Sequence, residues 1–194
     1  AHDLIGAYER METLEYTART LIYAKSVGEV KFLEPGPLLD AWMNPVFHGE
    51  TISLDNLEDD VLQKRELLAK IVQRAYRHHL MFSTSGSASQ RINRTDFMVT
   101  PYGVDRNWLD PRDLVIVADR GRETHHLPSR LVELHRAIYR KHKQVEAIMT
   151  SQAPYVTAFA VTGTPIDTRS IPESYMLLRH IPQVSLADAM QQPE

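Results

Sequence analysis

The chain has 194 residues, 43% of them hydrophobic and 24% charged, which is enough apolar material for one substantial core and argues against disorder. A formal net charge of −3, from 22 basic and 25 acidic residues, gives no general pull toward nucleic acid or an anionic membrane, so small molecules and other proteins are the expected partners. Cysteine is absent, which excludes disulfides, thiolate metal sites and cysteine nucleophiles and favours a cytoplasmic setting; no apolar run is long enough to span a bilayer.

The sequence opens AHDLIGAYER, without an initiator methionine or a signal-peptide layout, and reads as a fragment or a processed product. Residues 3–25 form the clearest helix. Leu4, Tyr8, Met11, Ala18, Leu21 and Ile22 recur at three- and four-residue steps, Glu9, Arg10 and Glu12 lie opposite, and Asp3 is the expected N-cap. Pro35-Gly36-Pro37 ends that pattern, and 34–59 reads as a linker pinned along a surface by Trp42, Met43, Val46 and Phe47. His48 and Glu50 within it are one histidine and one acid, short of a ligand set for a metal.

A second amphipathic helix is expected over 60–79, with Leu62, Leu68, Ile71, Val72, Ala75 and Tyr76 on its apolar face and Lys64, Arg65, Lys70 and Arg74 solvated. His78-His79 at its end read either as complements to the helix dipole or as metal ligands. Strands follow at 88–93, after the small-residue turn TSGS, and at 96–100, closed by Pro101-Tyr102-Gly103. Another strand is expected at 114–118, with a hairpin over 119–124 leaving it. His125-His126 read as a surface turn. A helix over 128–141 should start at Pro128-Ser129 and bury Leu131, Leu134, His135, Ile138 and Tyr139, with His135 a hydrogen-bonded core residue. A short strand at 147–151, a helix at 154–161 opening on Pro154, a turn at Gly163-Pro165-Ile166 and a strand at 174–180 complete the chain.

Several of these segments, in this order, resemble the class II aldolase and adducin family. Thr84-Ser85-Gly86-Ser87-Ala88-Ser89-Gln90-Arg91 is similar to the family's T-x-G-N-h-S-x-R. Residues 96–103 are similar to h-h-h-T-P-[ST]-G, with Tyr102 in place of the small hydroxyl residue. Pro128, Ser129, His135 and Tyr139 match P-S-S-E-x-x-x-H-x-x-x-Y. Residues 145–161, VEAIMTSQAPYVTAFAV, look like A-V-V-H-T-H-S-P-Y-A-T-A-F-A. The likeness covers about 60–180. The helix within 1–33 is similar to the last helix of such domains, and so reads either as the tail of a preceding aldolase-like domain or as a chance likeness between amphipathic helices.

The resemblance implies an α/β fold, a three-layer α/β/α sandwich with a central, mainly antiparallel (mixed) sheet, in a domain over 60–194 that lacks its last strands. It implies that Gly86, Ser87, Ser89, Tyr102, Gly103, Ser129 and Arg130 converge where the family holds the phosphate of its substrate, so a phosphorylated small molecule is the expected ligand. Ser87 replaces the family's asparagine, and Arg130 its second serine. The departures fall on the chemistry. Residues two apart share a face of a strand and can bind one metal ion together, yet Thr150 and Gln152 stand where the family has its two zinc histidines, and a hydroxyl and a neutral amide are poor zinc ligands. Leu131 stands where the family has its acid/base glutamate, and leucine transfers no proton. No N-H-G-like motif for a third zinc ligand occurs before Glu194. The expectation is therefore a degenerate aldolase-like domain with no catalytic residue and no metal of its own, serving structure, assembly or ligand binding in a homo-oligomer or a tandem protein. The alternative is a zinc-dependent sugar-phosphate aldolase, a lyase, whose metal site another domain or chain supplies. A third reading is a new activity using His78, His125 or His126.

Overall fold

In the strands Phe97–Val99 and Val115–Ala118 every residue except Ala118 is buried. Successive side chains leave a strand on opposite faces, so both faces of the sheet must be covered. The computed structural model describes residues 3–34, 36–37, 40, 50–52, 58–119, 121–123 and 126–185. Among them the strands are β1 (Glu50–Ile52), β2 (Ser87–Arg91), β3 (Phe97–Val99), β4 (Val115–Ala118), β5 (Gly121–Glu123) and β6 (Ala147–Thr150), in the spatial order β1-β5-β4-β3-β2-β6. Only the β1–β5 pairing is parallel. The helices are α1 (Leu4–Val27), α2 (Asp59–Arg77), α3 (Val132–Lys141), α4 (Pro154–Thr162) and α5 (Pro172–Leu178).

Each face of the sheet has its own core. Leu68, Val72 and Ala75 of α2 pack with Ala88, Met98 and Ile116, while Val132 and Tyr139 of α3 pack with Phe97, Val99, Val115 and Val117. Alternate residues of β3 and β4 thus serve opposite cores, which makes the three-layer α/β/α sandwich with a mainly antiparallel, mixed sheet. Helix α1 begins at its expected cap, where the Asp3 carboxylate accepts from the Gly6 N–H at 2.7 Å. It lies along α4, with Tyr23 stacked on Tyr155, and grips the end of α2. There the Tyr16 ring stacks on Phe82 at 4.2 Å, its hydroxyl lies 3.1 Å from His79 Nδ1, and the Tyr76 hydroxyl donates to Glu12 at 2.7 Å.

Five local expectations need correction. Residues 174–180 are not a strand. Pro172 opens α5 at its first turn, and Tyr-Met-Leu-Leu carries good helix formers with no β-branched residue among them. The linker expected over 34–59 contributes Glu50–Ile52 to the sheet as β1; Trp42, Met43, Val46, Phe47 and His48 lie outside the described residues. Helix α3 starts at Val132 rather than Pro128, because Pro128 is bridged to Pro101 and the Ser129 N–H donates to the Thr100 carbonyl. On α2, Leu62 and Ile71 are exposed and Arg65 is buried, since Glu123 of β5 meets the guanidinium with both carboxylate oxygens at 2.5 Å. On α1, Leu4, Tyr8, Met11 and Ile22 of the expected apolar face are exposed. No described helix is long and apolar enough to cross a membrane.

Candidate functional site

Pairing Ser87 with Thr150 and Ser89 with Val99 puts the start of β2 and the ends of β3 and β6 at one end of the sheet. The turn before β2, the loop after β3 and the segment leading into α3 therefore meet. Arg106 ties the first two together. Its side chain is buried, donating to the Gly86 carbonyl at 3.1 and 3.0 Å, to Pro101 at 3.1 Å and to Val104 at 2.8 Å, while its backbone N–H donates to the Ser83 carbonyl at 2.8 Å. Carbonyl dipoles thus stand in for a carboxylate, and burial lowers the guanidinium pKa to about 10, leaving it charged at neutral pH. The second and third segments are joined by Tyr102 N–H to Leu127 O at 2.7 Å and Ser129 N–H to Thr100 O at 2.9 Å. Arg130 closes the group: its guanidinium lies 4.9 Å from the centre of the Tyr102 ring and donates to the phenol oxygen at 3.0 Å.

Of the residues assigned to phosphate by resemblance, Gly86, Tyr102, Gly103, Ser129 and Arg130 come to this end on adjoining loops. Gly86 and Gly103 take φ of +84° and +69°, where a side chain is strained. The two remaining serine hydroxyls are engaged within the fold. Ser87 Oγ accepts from Thr100 Oγ1 at 3.4 Å, and Ser89 Oγ sits between His135 Nδ1 at 2.6 Å and the Tyr139 hydroxyl at 2.8 Å. Ser129 Oγ accepts from the Leu131 N–H at 3.3 Å.

The residues at the family's zinc positions do not fit the ion. Thr150 Oγ1 accepts from the Ser87 N–H at 3.0 Å and donates to the Ser87 carbonyl at 3.3 Å, so the hydroxyl acts as a rung of the sheet. Gln152 is exposed beyond the end of β6. Leu131 is half-buried just before α3. Among the described residues no three His, Asp or Glu side chains are grouped as a metal would require.

The histidines fall into distinct settings. His135 is fully buried, as its place on the α3 stripe implies, and burial pulls its imidazole down to about 4. Its Nε2 meets no partner atom among the described residues. His78 caps α2 with its backbone N–H, and His79 turns the chain at φ +58° toward Tyr16. His126 Nε2 lies 3.2 Å from Asp113 Oδ1, and His125 lies outside the described residues. Arg106 escaped the sequence reading because VDRNW is an ordinary loop composition; nothing local separates an arginine that gathers carbonyls from one in solvent.

The profile described as Class II Aldolase and Adducin N-terminal domain matches residues 66–192. Among solved structures, YgbL from Escherichia coli aligns at 24% identity over 53% of this chain and 50% of that one, with a TM-score of 0.50. L-fuculose-1-phosphate aldolase from Thermus thermophilus aligns at 21% identity over 63% of each chain, with a TM-score of 0.53. The alignment to YgbL thus takes in about half of that protein's length. No curated protein matches. At these identities the structural likeness speaks for the fold.

Proposed function

The chain belongs to the class II aldolase and adducin family, and from that membership we propose that it is a ligand-binding domain of a larger assembly, which uses the anion-facing loops of the aldolase frame without metal chemistry of its own. The observation that carries this reading is Thr150, whose hydroxyl is committed to both backbone groups of Ser87 at the position where the family places a zinc histidine. Leu131 supports it from the other side of the chemistry, because proton exchange at carbon needs a titratable group there. The expected partner is a second copy or a tandem aldolase-like domain, and the expected ligand a phosphorylated small molecule.

Arg130 is the binding residue in this reading. Stacked on Tyr102, its guanidinium presents its donors in one plane, the geometry that matches a phosphate oxygen pair. Calorimetry with inorganic phosphate and a simple phosphosugar tests this. The parent chain should bind the phosphosugar weakly and leave it intact, and Arg130→Ala should bind about tenfold less well, a loss of about 1.4 kcal/mol. Equal affinities, or no heat from either protein, would remove the anion role. Cleavage of the phosphosugar after zinc is added would favour the competing reading, a zinc-dependent aldolase completed by ligands from another domain or chain.

A further inference from the structure

At the other end of β3 from Thr100, the tip of the β2–β3 hairpin faces the last turns of α3 across a cleft of about 250 Å³. Arg94 comes from the hairpin, Arg136, Arg140 and Lys143 from α3 and the residues after it, and one acid, Asp119, from the end of β4, over a floor of Phe97 and Tyr139. Both rings are nearly fully buried, with centres 5.1 Å apart. Tyr139 turns its hydroxyl away to Ser89, so the floor is apolar.

The charges in the cleft are unevenly answered. Arg136 is paired with Glu133 at 3.1 Å, and Arg140 meets Asp119 at 3.4 Å with both side chains about two thirds exposed, a contact that holds little energy in water. Arg94 and Lys143 have no carboxylate within ion-pair range among the described residues. A local excess of positive charge therefore stands in a chain whose net charge is −3. The dipole at the C-terminus of α3 accounts for basic residues on that helix, but it asks nothing of Arg94, which comes from a different element. Cations brought from two elements to the walls of one concave space form a site for a small anion. The cleft is small, which suits a small molecule rather than a nucleic-acid backbone.

We propose that this cleft binds a small polyanion of the diphosphate class, separately from the loops around Arg130. Diphosphate spreads its charge over two groups and so offers one to the hairpin cation and one to those of α3 and the residues after it, where a single phosphate offers one in all. The probe is inorganic pyrophosphate, followed by calorimetry at low and raised salt, with orthophosphate in parallel. The parent chain should bind pyrophosphate more tightly than orthophosphate, more weakly as salt rises. The double substitution Arg94→Ala/Lys143→Ala should bind it at least tenfold less well, and Arg94→Lys/Lys143→Arg should keep most of the affinity. Arg130→Ala should keep the tighter pyrophosphate binding and lose only the weak component that orthophosphate shares at the loop site. Both replaced side chains are exposed, so an unchanged melting temperature accompanies the expected result. Parent-like binding by the alanine pair, loss only in Arg130→Ala, or no heat from the parent overturns the proposal. The Arg130 arm keeps its failure distinct from failure of the loop site.

Discussion

Arg65, Arg106 and His135 are polar side chains taken out of water, and each is stabilised by a different device. Arg65 has the Glu123 carboxylate, which also accepts the Ile116 N–H at 2.9 Å and so ties α2 to β4 and β5. Arg106 has backbone carbonyls. His135 stays neutral, held by Ser89, and that has a consequence for pH. Its folded pKa of about 4 lies below the ordinary value of 6.5, so the unfolded chain takes up a proton that the folded chain refuses. Its contribution to stability is complete above about pH 6.5 and is lost as pH falls toward 4, an effect of about 3 kcal/mol. Urea denaturation of the parent and of His135→Asn at several pH values checks this: the parent's stability should fall more steeply across that window. Parallel profiles would mean that the imidazole is protonated inside the fold. The burial of His135 was legible from the α3 stripe. The burial of Arg65 was not, because its partner lies 58 residues away.

Strand β1 shows how an element can be set by a residue in its neighbour. Glu-Thr-Ile has two β-branched residues but is too short a run to read as a strand by itself, and Gly121 is what lets the backbones approach. A Cβ on Gly121 would stand 2.3 Å from the Glu50 carbonyl oxygen. Gly121→Ala should therefore push β1 off the sheet edge while leaving β4 and the two cores in place. Hydrogen exchange should show faster exchange confined to 50–52 and 121–123, with a global loss of about 1–3 kcal/mol. Unchanged protection at 50–52 would refute the account. Helix α5 shows the converse: its local preferences were legible in Pro172 and the run that follows, and an expectation of continuing strands outweighed them. Helix α3 shifted for a third reason, since the bridge between Pro101 and Pro128 holds its first expected residues against the loop after β3.

At the scale of the whole molecule, the family's frame is present, and Thr150 and Gln152 stand at the positions that resemble its two zinc histidines. Thr150 is spent on the sheet, and Gln152 offers one neutral oxygen to solvent, so chain purified without added metal should carry well under one zinc per molecule by elemental analysis. About one zinc per chain, lost on replacing His125 or His126, would overturn this and restore the reading in which those histidines carry an activity.

The sequence by itself placed most of the elements, and through the resemblance it implied the layers. The continuous apolar runs of β3 and β4 demand cover on both faces, the stripes on α2 and α3 supply it, and the Gly, Pro and Thr of the turn motifs set where the chain reverses; these are local signals, carried within one element. It also gave, one position at a time, the residues that stand where the resemblance places two zinc histidines and an acid/base glutamate: Thr150, Gln152 and Leu131. Only the tertiary structure decided the partners: Glu123 for Arg65, carbonyls for Arg106, Ser87 for Thr150, and Arg94 set across a cleft from Lys143. Most of these join residues far apart in the chain, and their energy depends on burial and distance, which no window of sequence contains.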